Sequence, residues 1–327
     1  MERGDRPAAP GLSIVLVSFE TRDLLEASLR AVAAEGGGSV ETWVVDNAST
    51  DGSADMVAEA FPSVRLLRHD RNVGFAAGNN AALRQVTGDL ILLLNSDAVL
   101  LPGSLDALRE VFAREPSVGI CGPRLLNPDG SLQPSWGRRP TPVTELLFQS
   151  FLYKVWPCRF PYGRRPHPLL RPAYARFRRV DWVSGAALML RRSVLERIGG
   201  LPEDTFMYGE DLEYCLRAAE AGFEVAYEPR ALVRHHVAGS RRDHAGWIEA
   251  YTRATLEHYR RRGTRQELAA AARYIRWGSG LRRAVWGVLG LLPSRRAEAE
   301  ARRAGYQRAA LLARRYVAGP PPPSPGG

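Results

Sequence analysis

Apolar residues in the first hundred positions come in short runs separated by polar loops. Leu12–Val17, Glu41–Val45, Val64–Arg68 and Leu90–Leu94 each read as a strand. Leu90–Leu94 has no polar position at all, which predicts a strand covered on both faces, as in a parallel sheet. Between these runs the period changes. Leu24, Leu25, Leu29 and Val32 recur at helical spacing in a segment that Thr21 can cap and Gly36-Gly37-Gly38 ends. A short helix up to Phe61 and another ending near Gly88 are expected next. Strand and helix alternating through short loops predict an α/β domain: a mostly parallel sheet with helices on both faces.

The later chain is less regular. Pro102–Arg114 predicts a helix and Val118–Cys121 a strand. Leu125–Leu132 predicts a hairpin with Asp129-Gly130 as its turn. Residues 134–178 mix Pro, Arg and aromatics without a steady period, and a long loop region over the substrate is expected there. Val180–Gly185 and Ala186–Leu190 read as strand, Arg192–Ile198 as helix. A helix opened by Phe206–Asp211 should run to about Ala221, with Leu212, Cys215, Leu216 and Ala219 as its apolar face. Phe223–Tyr227 and Leu232–His235 read as strands. From about Ala245 the chain is helical and basic. The expected organisation is a disordered start (1–11), a domain over 12–241, a basic helical region over 242–318 and a Pro-rich tail (319–327) that cannot pack.

Four polar clusters follow strands of one sheet and should share its carboxyl edge, where open α/β sheets bind ligands. They are Ser18-Phe19-Glu20, Asp46–Gly52, Asn72–Asn80 and Asn95-Ser96-Asp97. Asp46 after a strand suits a contact to a base or ribose. Gly74 and Gly78 let backbone approach a ligand, although Gly78 serves close helix packing equally well. Asn72 and Asn79 supply amides. Asp97, at the end of a buried strand, can hold a hard cation, and the cation a diphosphate. In the second half, Glu210-Asp211 opens a helix, where negative charge is favoured. Phe206 and Tyr208 before it, and Gly209 between, suit a pocket edge at which a carboxylate accepts a proton.

Composition narrows the partners. The 327 residues are 45% hydrophobic and carry a formal net charge of +10. Lys154 is the sole lysine, so 44 of the 45 basic residues are arginine, a skew that resembles coding bias. The basic residues concentrate late, where an anionic membrane surface explains them as well as nucleic acid does. No nucleic-acid recognition motif accompanies them, and no nucleic-acid partner is expected. Cys121, Cys158 and Cys215 are odd in number and widely spaced, which predicts a reducing compartment. No secretory leader is visible, and no run reaches the roughly 18 apolar residues of a spanning helix. A cytoplasmic protein is expected, or one peripheral on the inner face of the cytoplasmic membrane. No Gly-x-Gly-x-x-Gly follows the first strand, which counts against a dinucleotide dehydrogenase, and no P-loop is present.

The motifs Val17-Ser18-Phe19, Asp46-Asn47-Ala48-Ser49-x-Asp51-Gly52, Asn72-x-Gly74-Phe75-Ala76-x-Gly78-Asn79-Asn80, Asn95-Ser96-Asp97, Gly185, Phe206-x-Tyr208-Gly209-Glu210-Asp211 and His235/His236 together resemble glycosyltransferase family 2. That is the inverting, GT-A-fold family, and the likeness is to its bacterial rhamnosyltransferase-like branch. It covers about Leu12 to Arg241. It implies a nucleotide-sugar half (12–122) and an acceptor half (123–241) of a Rossmann-like sheet, with a C-terminal helical appendage. It implies a nucleotide-diphospho-sugar donor, dTDP-rhamnose or a UDP-sugar. The implied acceptor is a glycan or polyprenyl-diphosphate-linked glycan in cell-surface polysaccharide synthesis. Implied roles are donor binding by Ser18, Phe19, Glu20, Asp46, Asn47, Asn72, Gly74, Asn79, Asn95, Ser96 and Asp97, and acceptor contact by Trp182, Gly185 and Tyr208. Asp211 would be the catalytic base, with Glu210 orienting it or the acceptor. Asp97 would bind Mg2+ or Mn2+, with His235 or His236 nearby; His235, five residues before Ser240, is preferred. Glu20 stands where the family often has Asn, and Ser96 where Pro is common. Residues 270–318 would make any peripheral membrane contact. The rival reading is a non-catalytic nucleotide-sugar or glycan-binding protein of the same fold, which predicts a broken metal or base position.

Overall fold

A computed structural model describes residues 11–36, 40–154, 168–203, 208–237 and 243–318. The expected N-terminal and C-terminal disorder, Phe206 and the Ala238-Gly239-Ser240 segment lie outside them.

The first half follows the apolar runs closely. Strands β1 (Leu12–Ser18), β2 (Val40–Asp46), β3 (Arg65–Arg68) and β4 (Leu90–Asn95) alternate with helices α1 (Arg22–Gly36), α2 (Ser53–Ala60) and α3 (Phe75–Leu83). The four strands are parallel in the order β3-β2-β1-β4. Alternate side chains enter opposite layers, as the strand period requires. Ile14, Leu16, Leu92 and Leu94 pack with α1, α2 and α4 (Ser104–Arg114). Val15, Val45, Ile91 and Leu93 face the other layer, beside α3. Every one of these side chains is buried, each worth about 1.5–3 kcal/mol.

Beyond β4 the sheet becomes mixed. A three-residue strand, β5 (Ala98–Leu100), precedes α4, and β6 (Val118–Leu126) follows it. β7 (Leu132–Gln133) pairs back on β6, so the predicted hairpin forms, with Gly130 at φ 77° in its turn. The expected loop over 134–178 is instead partly built. It holds β8 (Trp136–Gly137), α5 (Pro142–Gln149), a 3-10 turn at Leu152–Lys154, another at Pro168–Ala175, and the start of β9 (Arg178–Val180). Thr141 caps α5 and Pro142 sits at its first position.

β10 (Trp182–Val183) pairs with β8, and β11 (Ala187–Arg191) enters the main sheet between β4 and β6, antiparallel to both. Helices α6 (Arg192–Ile198) and α7 (Glu210–Glu220) follow. The two strands expected over 223–235 form one, β12 (Glu224–His235), parallel to β6 with a register shift between Glu228 and Leu232. The full order is β3-β2-β1-β4-β11-β6-β12-β5, with β9 also on β12.

The basic region forms three long helices, α8 (His244–Arg262), α9 (Arg265–Leu289) and α10 (Arg296–Ala318). They share a small core of Leu256, Ala272, Ile275, Leu312, Ala313 and Tyr316. Two arginines fasten it to the rest. Arg262 grips both oxygens of Glu213 on α7 at 2.7 Å. Arg282, buried, donates to the backbone carbonyls of Phe148 and Gln149 on α5.

Candidate active site

The parallel register brings the first polar loops to one rim. Ser18 pairs with Asp46, Asp46 with Arg68, and Val17 with Asn95. Asp46 is buried; Oδ2 accepts from the Ser49 N–H at 3.0 Å, while Oδ1 has no hydrogen-bond partner among the described residues. Glu20, at φ 54°, accepts from the Thr50 N–H at 2.7 Å, and its own N–H donates to Ser49 Oγ. Glu20 therefore folds the 46–52 loop. Phe19 beside it is 47% exposed.

The third loop is tied to the second. Asn47, buried, donates to Asn72 Oδ1 at 3.3 Å and to the Gly74 carbonyl at 3.1 Å. Asn72 Oδ1 also accepts from the Gly74 N–H, and Gly74 sits at φ 87°, a region glycine adopts at little cost. The Asn79 amide donates to the Phe75 carbonyl of its own helix. The adjacent Asn80 joins α3 to Leu201 through both its Oδ1 and its Nδ2. Gly78 is a packing glycine: a Cβ there would lie 2.8 Å from Val17 Cγ1.

The end of β4 carries the densest cluster. Thr21 Oγ1 lies 3.0 Å from Ser18 Oγ and donates to Ser96 Oγ at 2.9 Å, a hydroxyl chain between β1 and β4. Asp97 Oδ1 is 3.2 Å from His235 Nε2, because β12 pairs with β5 so that His235 faces Ala98. His236 meets Asp97 only through its backbone N–H. Gln133 Oε1 lies 3.0 Å from His235 Nδ1. In the tautomer that donates Nδ1–H to Gln133 the Nε2 lone pair would face Asp97, and the two groups together would fit a divalent cation. Among the described residues no cluster of three or more His, Cys, Asp or Glu side chains is preorganised for a metal. Asn95 Nδ2 also reaches His235 Nε2, at 3.3 Å, and Asn95 Oδ1 has no hydrogen-bond partner among the described residues.

The second half enters the same rim through β11. Its antiparallel pairing sets Ala187 against Leu94, so the preceding Gly185 lies beside the end of β4. The Gly185 N–H donates to Asp211 Oδ2 at 3.0 Å, and Asp211 Oδ1 accepts from the Leu212 N–H at 2.7 Å. Tyr208 (φ 72°) and Gly209 (φ 88°) make two successive left-handed residues that swing the chain into α7. Burial raises the Asp211 pKa, against the two N–H groups that favour its charged form. Glu210 is more deeply buried, and its Oε2 has no hydrogen-bond partner among the described residues. Burial and then the Asp211 charge push its pKa up to about 8. Burial raises both pKa values and the two carboxyls titrate as a pair, while the Gly185 and Leu212 N–H groups favour charge on Asp211 over Glu210.

Trp182 is buried; its indole packs where a Cβ on Gly137 would stand, and Nε1 donates to the Arg138 carbonyl at 3.2 Å. At 5% exposure, the surface it offers an acceptor is small. Sequence reasoning passed over the linking role of Thr21 and the placement of Gln133. The spacing of Gln133 two residues after the Gly130-Ser131 turn was the available signal.

The family model described as "Glycosyltransferase like family 2" matches residues 9–269. A Mycobacterium tuberculosis protein named N-acetylglucosaminyl-diphospho-decaprenol L-rhamnosyltransferase is 32% identical over 261 residues, covering 75% of this chain and 82% of its own. The pre-mycofactocin glycosyltransferase of the same organism is 31% identical over 247 residues, 74% of this chain and 46% of its own. Among solved structures, a mannosyltransferase from Pyrobaculum calidifontis in complex with GDP-mannose and Mn2+ superposes with TM-score 0.56 at 20% identity, over 94% of this chain and 88% of that one. A second, GalNAc-T7 with UDP, GalNAc and Mn2+, gives TM-score 0.54 at 14% identity, over 76% and 48%. Both share the GT-A fold.

Proposed function

Because the chain belongs to glycosyltransferase family 2 and is a glycosyltransferase, we propose that it transfers a sugar with inversion from a nucleotide-diphospho-sugar, dTDP-rhamnose or a UDP-sugar, to a glycan or polyprenyl-diphosphate-linked glycan during cell-surface polysaccharide synthesis. One observation carries the proposal: the Asp211 carboxylate is fixed by Gly185 at the rim where β4 delivers Asp97 to His235. The rhamnosyltransferase relative's name supports the donor and the lipid-diphosphate acceptor.

The unpartnered Oδ1 of Asp46 accepts a ring N–H of uracil or thymine, and exposed Phe19 offers an aromatic face beside it. A Mg2+ or Mn2+ ion held by Asp97 and His235 would supply positive charge against the diphosphate leaving group. Asp211 takes the proton from the acceptor hydroxyl. That oxygen bonds to the anomeric carbon from the face opposite the diphosphate, and the bonding electrons depart on a diphosphate oxygen. One displacement inverts the centre, so no carboxylate nucleophile is needed. The Gly185 and Leu212 N–H groups hold the Asp211 carboxylate in the charged form that takes the proton. Residues 270–318 would hold the enzyme peripherally on the inner face of the cytoplasmic membrane, where such an acceptor resides. No helix among the described residues is long and apolar enough to cross a membrane.

The test is a melting-temperature screen of nucleotide sugars with and without Mn2+, in which the true donor stabilises by mass action. Transfer to a short-chain diphospholipid acceptor is then followed by mass spectrometry, with the new anomeric configuration read by NMR. Retention of configuration, or no nucleotide sugar that both stabilises and is consumed, overturns the proposal.

A further inference from the structure

Residues 268–297 contain six arginines and no acidic residue. The structure divides them by facing. Arg282 is buried on α5, and Trp286 lies under Arg302, whose guanidinium carbon is 4.6 Å from the ring centroid. The outward face of α9 is a different set. At about 100° per residue, Trp277, Leu281, Val285 and Val288 fall within an arc of roughly 80°. Trp277 is 53% exposed and Val288 67%, and Leu291 just beyond the helix is 80% exposed. Next to this stripe, Arg273, Arg276 and Arg283 join Leu311 and Arg314 of α10 around an open groove. None of these four arginines has an ion pair or hydrogen bond among the described residues. Elsewhere in the three-helix region Arg260 and Arg262 of α8 and Arg302 of α10 are each paired with a glutamate. Gly280 and Gly287 lie between the basic and apolar edges with open space around them, so nothing projects to hold a flat surface away.

We propose that this face of α9 and α10 seats on an anionic lipid bilayer, with the apolar stripe at the acyl boundary and the four guanidiniums on lipid phosphates. The proposal rests on the peripheral-membrane part of the function above and assigns the residues that make the contact. Charge complementarity selects this occupant. A second copy docking symmetrically would set unpaired arginines against the same arginines. A nucleic acid would leave the Trp277–Val288 stripe without a partner.

The experiment is flotation of the full chain with vesicles of phosphatidylglycerol and phosphatidylcholine, against phosphatidylcholine alone. The full chain should float with the anionic vesicles only. Substituting Arg273→Gln, Arg276→Gln and Arg283→Gln together should weaken partitioning about 100-fold, at about fivefold per arginine. Trp277→Ser with Val288→Ser should weaken it at least about tenfold. Arg84→Gln, Arg171→Gln and Arg197→Gln, an equal loss of charge from exposed positions on the sheet domain, should leave most of the binding. Equal loss in that control, binding to neutral vesicles alone, or no binding overturns the assignment. A dimer in vesicle-free light scattering that the Trp277→Ser, Val288→Ser variant abolishes makes the face a self-association interface and also overturns it. Transfer to a water-soluble acceptor, measured in parallel, tests the enzyme reading separately, because none of these residues lies at the strand rim.

Discussion

Asp46 and Asp211 stand on the same rim and are held by different means. Asp46 ends a strand flanked on both sides by parallel partners, and its neighbours Glu20, Asn47, Ser49 and Asn72 bond to one another across three loops. Asp211 opens a helix after two left-handed residues, and its tie to the sheet is one N–H from Gly185. The proposed donor side is thus set by sheet register, distributed over many weak bonds. The proposed base is set by one turn and one contact. Loss of a donor-side bond should therefore alter binding by degrees, whereas loss at 211 should stop the chemistry.

The largest effect should come from Asp211→Asn, which keeps shape and removes the proton acceptor. Turnover should fall roughly 100-fold or more, with the donor-induced melting shift retained. Near-normal turnover would remove the contrast altogether. Asp46→Ala should act mainly on the donor KM, by about 10- to 100-fold, the scale of one hydrogen bond to a charged group. A drop in kcat at saturating donor, with KM unchanged, would show that the cradle and the base are not separable in this way. Gly78→Ala pushes a methyl onto Val17 and should cost about 1–3 kcal/mol of stability in denaturant titration, with little change in KM. Should KM rise instead, Gly78 belongs to the binding surface.

Glu210→Gln should be the mildest for activity, keeping turnover within about threefold, since burial favours the protonated form of Glu210. Its signature is in stability. Burial pushes the folded pKa up to about 8, above the ordinary glutamate value of about 4.5, so the native chain binds this proton more tightly than the unfolded chain. Wild-type stability should fall as pH climbs from about 4.5 to about 8, and Glu210→Gln should flatten that fall. Parallel melting curves for the two proteins across this range would mean that Glu210 is ionised in the fold.

The central parallel strands β1 and β4 were legible because they are buried on both faces and read as runs of apolar residues. That also made the shared rim legible. Features that depend on which way a side chain points were not. Trp182 and Gly185 are close in sequence, yet one faces inward and the other meets Asp211. Asn79 and Asn80 are adjacent, yet one bonds its own helix and the other a distant loop. That the His235 ring, rather than that of His236, turns toward Asp97 follows from strand alternation where β12 pairs with β5. Strands of two or three residues, such as β5 and β8, carry too few positions to show a period. Helix α5 was hidden by surrounding Pro and Arg, although Thr141-Pro142 is a start signal.

Strand β11 runs against its neighbours, so the polypeptide comes back into the sheet at the very rim from which β4 departs. Between about Leu126 and Ser184 the described residues form an excursion that adds β7 beside β6 and β9 beside β12 but places no strand in the parallel core. Such an excursion can be exchanged as a cassette. Chimeras that graft it from a relative using another acceptor should inherit the new acceptor preference while keeping the old nucleotide specificity.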